Sequence, residues 1–184
     1  MSRITRSAIA LVLGLSFLGT AGPAQAKAAD ASSAVRTLRY DAGHAAEFRA
    51  TVDQAAQVWN SSVTTVRLVP GTPADFVVYA DDGWPRAQST GLGRGTVWMG
   101  RQAVSEGHAP LRIAAHEIGH ILGLPDRRTG RCEDLMSGAS AGTGCTNPDP
   151  NADERAEVES NFGVLPTLSR PPRTFTDDAA VAAH

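Results

Sequence analysis

The stretch HEIGHILGLPD, His116 to Asp126, decides how the rest of the chain is read. Two histidines and a glutamate stand among isoleucines and leucines, and a glycine comes three residues before an aspartate. His116 and His120 are four positions apart, which on a helix puts both imidazoles on one face, one turn above the other. A metal ion can reach both. Two side chains do not complete a tetrahedral zinc site, so a third ligand has to come from beyond the helix. Gly123 supplies the route, because glycine accepts the positive φ that ends a helix and turns the chain back. Asp126 then follows within reach. Three protein ligands with the fourth position left to water is the arrangement of a single catalytic Zn2+ rather than a structural one. Glu117 lies next to His116 but about 100° around the helix, placed to hold that water without binding the metal. A bare His-Glu-x-x-His recurs by chance in background sequence, whereas the same pattern with Gly123 and Asp126 at fixed spacing is far rarer.

Working outward, Pro110 to Leu124 reads as the helix that carries this motif, with Ile113, Ala114, Ile118, Ile121 and Leu122 apolar. Upstream, Val35 to Tyr40 alternates as a strand does, and from His44 to Asn60 the residues Phe48, Val52, Ala55, Ala56 and Trp59 recur at helical spacing. Val63 to Val69 and Asp75 to Ala80 are strand candidates separated by Pro70-Gly71-Thr72-Pro73, a turn signal. Gly83 to Gly95 is glycine-rich and polar and leads into Thr96-Val97-Trp98-Met99, a short glycine-flanked strand with the composition of a sheet edge approached closely by another backbone. That edge is expected to pair with an extended substrate by strand addition. Trp98 and Met99 read equally as core packing. Pro150 to Phe162, with Asp153 and Glu154 in its first turn, marks a last helix. Residues 163–184 are Pro-rich and weakly patterned, and a loose tail is expected there.

The N-terminus speaks for export. Arg3 and Arg6 precede an apolar run from Ala8 to Leu18, and Ala24-Gln25-Ala26 supplies small residues at a cleavage distance. Residues 1–26 read as a signal peptide, and the run is well short of the roughly 20 residues that span a bilayer. Residues 27–34 are then a short pro-segment or linker, too few for a folded pro-domain, and 35–162 form one domain of ordinary size. No cysteine precedes the motif, so latency through a thiol on the metal is not expected, and any pro-segment must block the cleft by occupancy. Residues 1–26 hold two of the 17 basic side chains, leaving 15 against 19 acidic ones and a net charge of −4. With no basic run to follow a phosphate backbone, nucleic acid is excluded as a partner. Neither a membrane partner after cleavage nor an oligomer is expected. The two cysteines, Cys132 and Cys145, are most simply a disulfide in an oxidising compartment, closing a loop at a gain of about 3 kcal/mol. Thiolate zinc ligation would need shorter spacing and nearby histidines.

HEIGHILGLPD resembles the metzincin pattern of zinc endopeptidases, His-Glu-x-x-His-x-x-Gly-x-x-His followed by a methionine turn, with aspartate in place of the last histidine. That replacement, the small size, CEDLMSG after the motif, and AAQVWNSSV and CTNP elsewhere are similar to the snapalysins, small secreted neutral metalloproteases of filamentous actinobacteria. The resemblance covers Val35 to Phe162 and not the tail. It implies an α+β domain in which a twisted, mostly parallel sheet with an antiparallel edge strand packs on two long helices and a C-terminal helix. It further implies His116, His120 and Asp126 as zinc ligands, Glu117 as the catalytic glutamate, Met136 beneath the metal, and a disulfide stapling the loop that leaves the turn. It implies protein or peptide substrates with an aromatic residue just after the cut, accommodated by the loop Ser137 to Gly144. Calcium is not readable from the sequence. One position departs: where such sequences tend to carry a tyrosine two residues after the third ligand, this chain has Arg128. The guanidinium replaces the phenol as an electrostatic stabiliser, points into solvent, or marks an impaired enzyme. A secreted zinc amidase acting on cell-wall peptides would share the metal chemistry. A non-catalytic zinc-binding module would not need Glu117, and a secreted binding or inhibitor domain would not need the motif at all.

Overall fold

The alternation that starts at Val35 becomes β1, Arg36–His44, whose Leu38, Tyr40 and Ala42 turn inward and are buried. The computed structural model describes residues 35–163 and 172–176. The proposed signal peptide, the segment 27–34 and most of the tail lie outside these residues. After a 3-10 turn over Ala46–Phe48, the helical spacing expected from His44 is realised as α1, Arg49–Ser62, with Val52, Ala55, Ala56 and Trp59 buried. The strands β2 (Val66–Pro70) and β3 (Phe76–Asp81) follow, near the expected positions. Next come β4 (Arg86–Gly91), β5 (Arg94–Gly100), the short α2 (Arg101–Ser105), α3 (Pro110–Ile121), a 3-10 segment over Leu135–Ala141 and α4 (Ala152–Phe162). A last strand, β6, spans Arg173–Thr176.

The six strands make one sheet in the order β2-β1-β3-β5-β4-β6. β1 pairs in parallel with β2 and β3, and β3 with β5, whereas β4 is antiparallel to both β5 and β6. The chain is thus α+β with a mostly parallel sheet, as expected. α1 and α3 pack on each other as well as on the sheet: the indole of Trp59, fully buried, donates from Nε1 to Ala115 O at 2.9 Å across the helix pair. Tyr40 Oη donates to Asp53 Oδ1 at 2.8 Å and ties the sheet to α1. Burial, reinforced by Asp53, pushes the Tyr40 phenol up from its ordinary value. α4 begins with a capping box in which the Asn151 side chain accepts from Glu154 N at 2.8 Å and Glu154 accepts from Asn151 N at 2.7 Å.

Two expectations are corrected, and one strand was missed. The strand Thr96 to Met99 is not an edge: it lies within β5, flanked by β3 and β4. The close backbone approach read from its glycines is real, since a Cβ on Gly95 would sit 2.1 Å from Gln88 O, but the approaching backbone is β4 and not a substrate. The glycine-rich segment Gly83 to Gly95, for which no strand was read, contains β4. Only Ala87 and Ser89 of β4 are buried, so its small inward residues and polar outward ones carry none of the β-branched signal of a central strand. In the tail, Arg173–Thr176 is ordered as β6, with Ala87 opposite Phe175.

Candidate active site

α3 starts with Pro110 at its first turn and ends on a Schellman cap, where Gly123 N donates to His120 O and Leu124 N to Gly119 O, both at 3.0 Å. Gly123 holds φ at 98°, a conformation in which a side chain would be strained. The chain reverses there and delivers Asp126 to the face of α3 that carries His116 and His120. The imidazole Nε2 atoms of the two histidines are 3.1 Å apart, and Asp126 Oδ1 lies 3.3 Å from the first and 3.5 Å from the second. One potential ligand atom from each of the three residues falls within 4.8 Å of the other two.

Protons decide what this cluster can hold. His116 Nδ1 is 3.0 Å from Leu135 O and His120 Nδ1 is 2.9 Å from Leu124 O. A carbonyl only accepts, so each Nδ1 carries a proton, and a neutral ring in that tautomer points an Nε2 lone pair inward. Burial pushes the pKa of His120 down and keeps that ring neutral. Two imidazole lone pairs and a carboxylate oxygen converging on one point in a buried place repel one another unless a cation sits among them. Two nitrogens and one oxygen are a donor set suited to a borderline divalent metal.

Glu117 is buried on α3 beside this cluster, at 1% exposure. Met136 is fully buried in the 3-10 segment after the motif and packs on the α3 backbone through Gly119. A Cβ there would come within 2.8 Å of Met136 Sδ, so the residue before the second histidine has to be small. The same turn supplies Leu135 O, which orients His116. Arg127 N donates to Met136 O at 2.8 Å and links the loop bearing Asp126 to the turn. The disulfide Cys132–Cys145 forms as expected. Arg128 adopts a positive φ of 43°, and its Nη2 is 3.5 Å from Asp126 Oδ2. Its side chain is only 25% exposed, which counts against the solvent orientation.

Three contributors were not anticipated. Glu154 is fully buried and accepts from Leu135 N at 3.1 Å and Met136 N at 2.7 Å, so one residue both caps α4 and clamps the methionine turn. The capping pattern Asn-x-x-Glu at Asn151 to Glu154 was its legible signal. Arg112 is buried and donates through Nη2 to Asp134 O at 2.7 Å, and through Nη1 to Asn147 O at 2.6 Å and Cys132 O at 3.1 Å. Its place four residues before His116, on the same helix face, was the clue. The third is Phe175 of β6, whose ring stacks on His120 at 4.1 Å and 4° between planes, and no local pattern in the tail announces it. Next to His116 opens a cavity whose walls include Trp84, His108, Ile113, Gly138 and Ala139. The last two belong to the loop expected to receive a substrate side chain.

A mixed sheet over a helix with two inward histidines, and a carboxylate brought back by the turn after it, is the plan of a small metzincin-like protease domain. The model of the Streptomyces extracellular neutral proteinase (M7) family matches residues 34–164. The extracellular small neutral protease of Streptomyces caespitosus is 44% identical over 126 residues, 67% of this chain and 95% of that protein. Those of Streptomyces lividans and Streptomyces coelicolor are 41% and 38% identical over 139 residues each, 73% and 74% of this chain. The match takes in 61% and 64% of those two proteins, under two thirds of their length. The chain belongs to the Streptomyces extracellular neutral proteinase (M7) family and is, like its relatives, an extracellular metalloendopeptidase. No described helix is long and apolar enough to cross a membrane.

Proposed function

We propose that this protein hydrolyses internal peptide bonds of proteins with one zinc ion held by His116, His120 and Asp126, and with Glu117 as the general base. The observation that carries the reading is the convergence of the Nε2 atoms of His116 and His120 and a carboxylate oxygen of Asp126 on one point. When bound, zinc supplies Lewis acidity toward water and toward the scissile carbonyl. Glu117 takes a proton from the attacking water and returns it to the leaving amine nitrogen. The backbone carbonyls of Leu135 and Leu124 keep both imidazoles in the tautomer that ligation needs. Met136, clamped by Glu154, forms the floor on which α3 rests. Arg128 positions Asp126 through its guanidinium rather than serving as an acid, since it cannot give up a proton at neutral pH.

The cavity beside His116 takes the side chain that follows the cut. Its walls of Trp84, His108 and Ile113 suit a flat aromatic ring, which supports a preference for an aromatic residue there. The enzyme acts as a monomer, and residues 1–26 are removed on export. Casein hydrolysis by the purified protein tests the reading. Activity abolished both by a chelator and by Glu117→Gln is expected, and chelator-resistant hydrolysis would overturn it.

A further inference from the structure

The outer edge of β4 faces the metal-ligand side of α3 and is covered by the chain itself. β6 lies antiparallel along β4, from Ser89 opposite Arg173 to Arg86 opposite Thr176, and places Phe175 face to face on the His120 ring. Three observations set this segment apart from an ordinary sheet strand. It is an extended strand added to a sheet edge, the mode in which a peptide is taken up by backbone pairing. Its direction runs toward the end of β4 that continues into Trp84 and Pro85, two walls of the cavity beside His116. It also lies outside residues 34–164, to which the family match is confined.

We infer that residues 172–176 occupy the peptide-binding edge of this enzyme in cis, with Phe175 over the site as an intramolecular competitor of substrate. The inference rests on the protease reading of the site. A tethered segment acts at an effective concentration on the order of millimolar, so contacts too weak to bind a free peptide tightly are enough to raise the apparent KM. The tail therefore sets how readily an extended substrate gains entry, and loss of the Phe175 ring opens the edge.

The test uses the full chain and its Phe175→Ala variant. On an internally quenched peptide substrate, Phe175→Ala is expected to lower KM about tenfold, by the population arithmetic of a removed competitor, with kcat little changed. A second readout does not depend on turnover. In the Glu117→Gln background, which does not cut the probe, a fluorescein-labelled hexapeptide of the sequence Pro-Arg-Thr-Phe-Thr-Asp is titrated and its anisotropy followed. It is expected to bind the Phe175→Ala chain about tenfold tighter than the chain with Phe175, on the same arithmetic. Equal binding to both chains, including no binding to either, would overturn the inference. Absence of hydrolysis by both parent and Phe175→Ala chains would count instead against the protease reading, and the anisotropy comparison would still decide the role of the tail.

Discussion

In the proposed mechanism Glu117 and the histidine on either side of it divide the labour of the site. The histidines need Nε2 free for a metal, and their Nδ1 hydrogen bonds to Leu135 O and Leu124 O fix that tautomer. The glutamate needs a negative charge that can accept a proton beside a metal. Their variants should therefore separate. Glu117→Gln is expected to keep stoichiometric metal while kcat falls by at least about two orders of magnitude, the scale of a lost general base. His120→Ala should lose the metal itself. Elemental analysis alongside turnover distinguishes the two, and a Glu117→Gln enzyme with near wild-type kcat would assign proton transfer to another group. The coming together of His116, His120 and Asp126 was legible because it depends on helical spacing and one turn, both local properties of the chain. Phe175 was not legible, because its meaning comes from a pairing with β4 across more than eighty residues of sequence.

At the level of elements, α3 is fixed from three sides. Trp59 of α1 bonds to its middle, Arg112 ties its first turns to the loop that follows the motif, and the methionine turn supports it at Gly119. Glu154 of α4 in turn holds that methionine turn. Glu154→Gln sets an amide NH2 against backbone N–H groups that now meet a carboxylate oxygen. It should cost about 1–3 kcal/mol, the usual penalty for buried donors left without an acceptor, read as a shift in urea midpoint. Trp59→Ala should cost about 3–5 kcal/mol through the cavity it leaves. Equal stability of either variant and the parent would show that the element it anchors is held by something else. α1, α3, β1, β2 and β3 could be read from apolar periodicity because each buries one face on a single core, α4 was read from its start signals, and the short α2 was not read. β4 could not, because it buries only Ala87 and Ser89 and shows the rest to solvent or to β6. The error over Thr96 to Met99 has the same root: without β4 in place, the next strand looked like the edge.

Across the whole molecule, the loop that leaves the site is secured by a disulfide and by one buried carboxylate. Asp134 accepts from Thr129 Oγ1 at 2.6 Å, Arg131 Nε at 3.0 Å and Asn151 Nδ2 at 2.8 Å. Arg131 first, then Thr129 and Asn151, hold its carboxyl well below the ordinary range. A carboxyl depressed in the folded state contributes stability that is complete above its unfolded value of about 3.9 and is lost as pH falls below it. Unfolding midpoints measured from about pH 6 down to about pH 3 should therefore fall more steeply for the parent than for Asp134→Asn, and parallel curves would remove Asp134 from the acid response. Replacing Cys132 and Cys145 together by serine should cost about 3 kcal/mol by the chain-entropy account. All of this scaffolding serves the point where the atoms of His116, His120 and Asp126 proposed as ligands meet, and metal content tests that point most directly. Elemental analysis of the purified chain, with peptide hydrolysis measured before chelation, after it, and after zinc is restored, should find one zinc per chain and activity that disappears and returns with it. A metal-free chain that hydrolyses peptide bonds at the full rate would contradict the account.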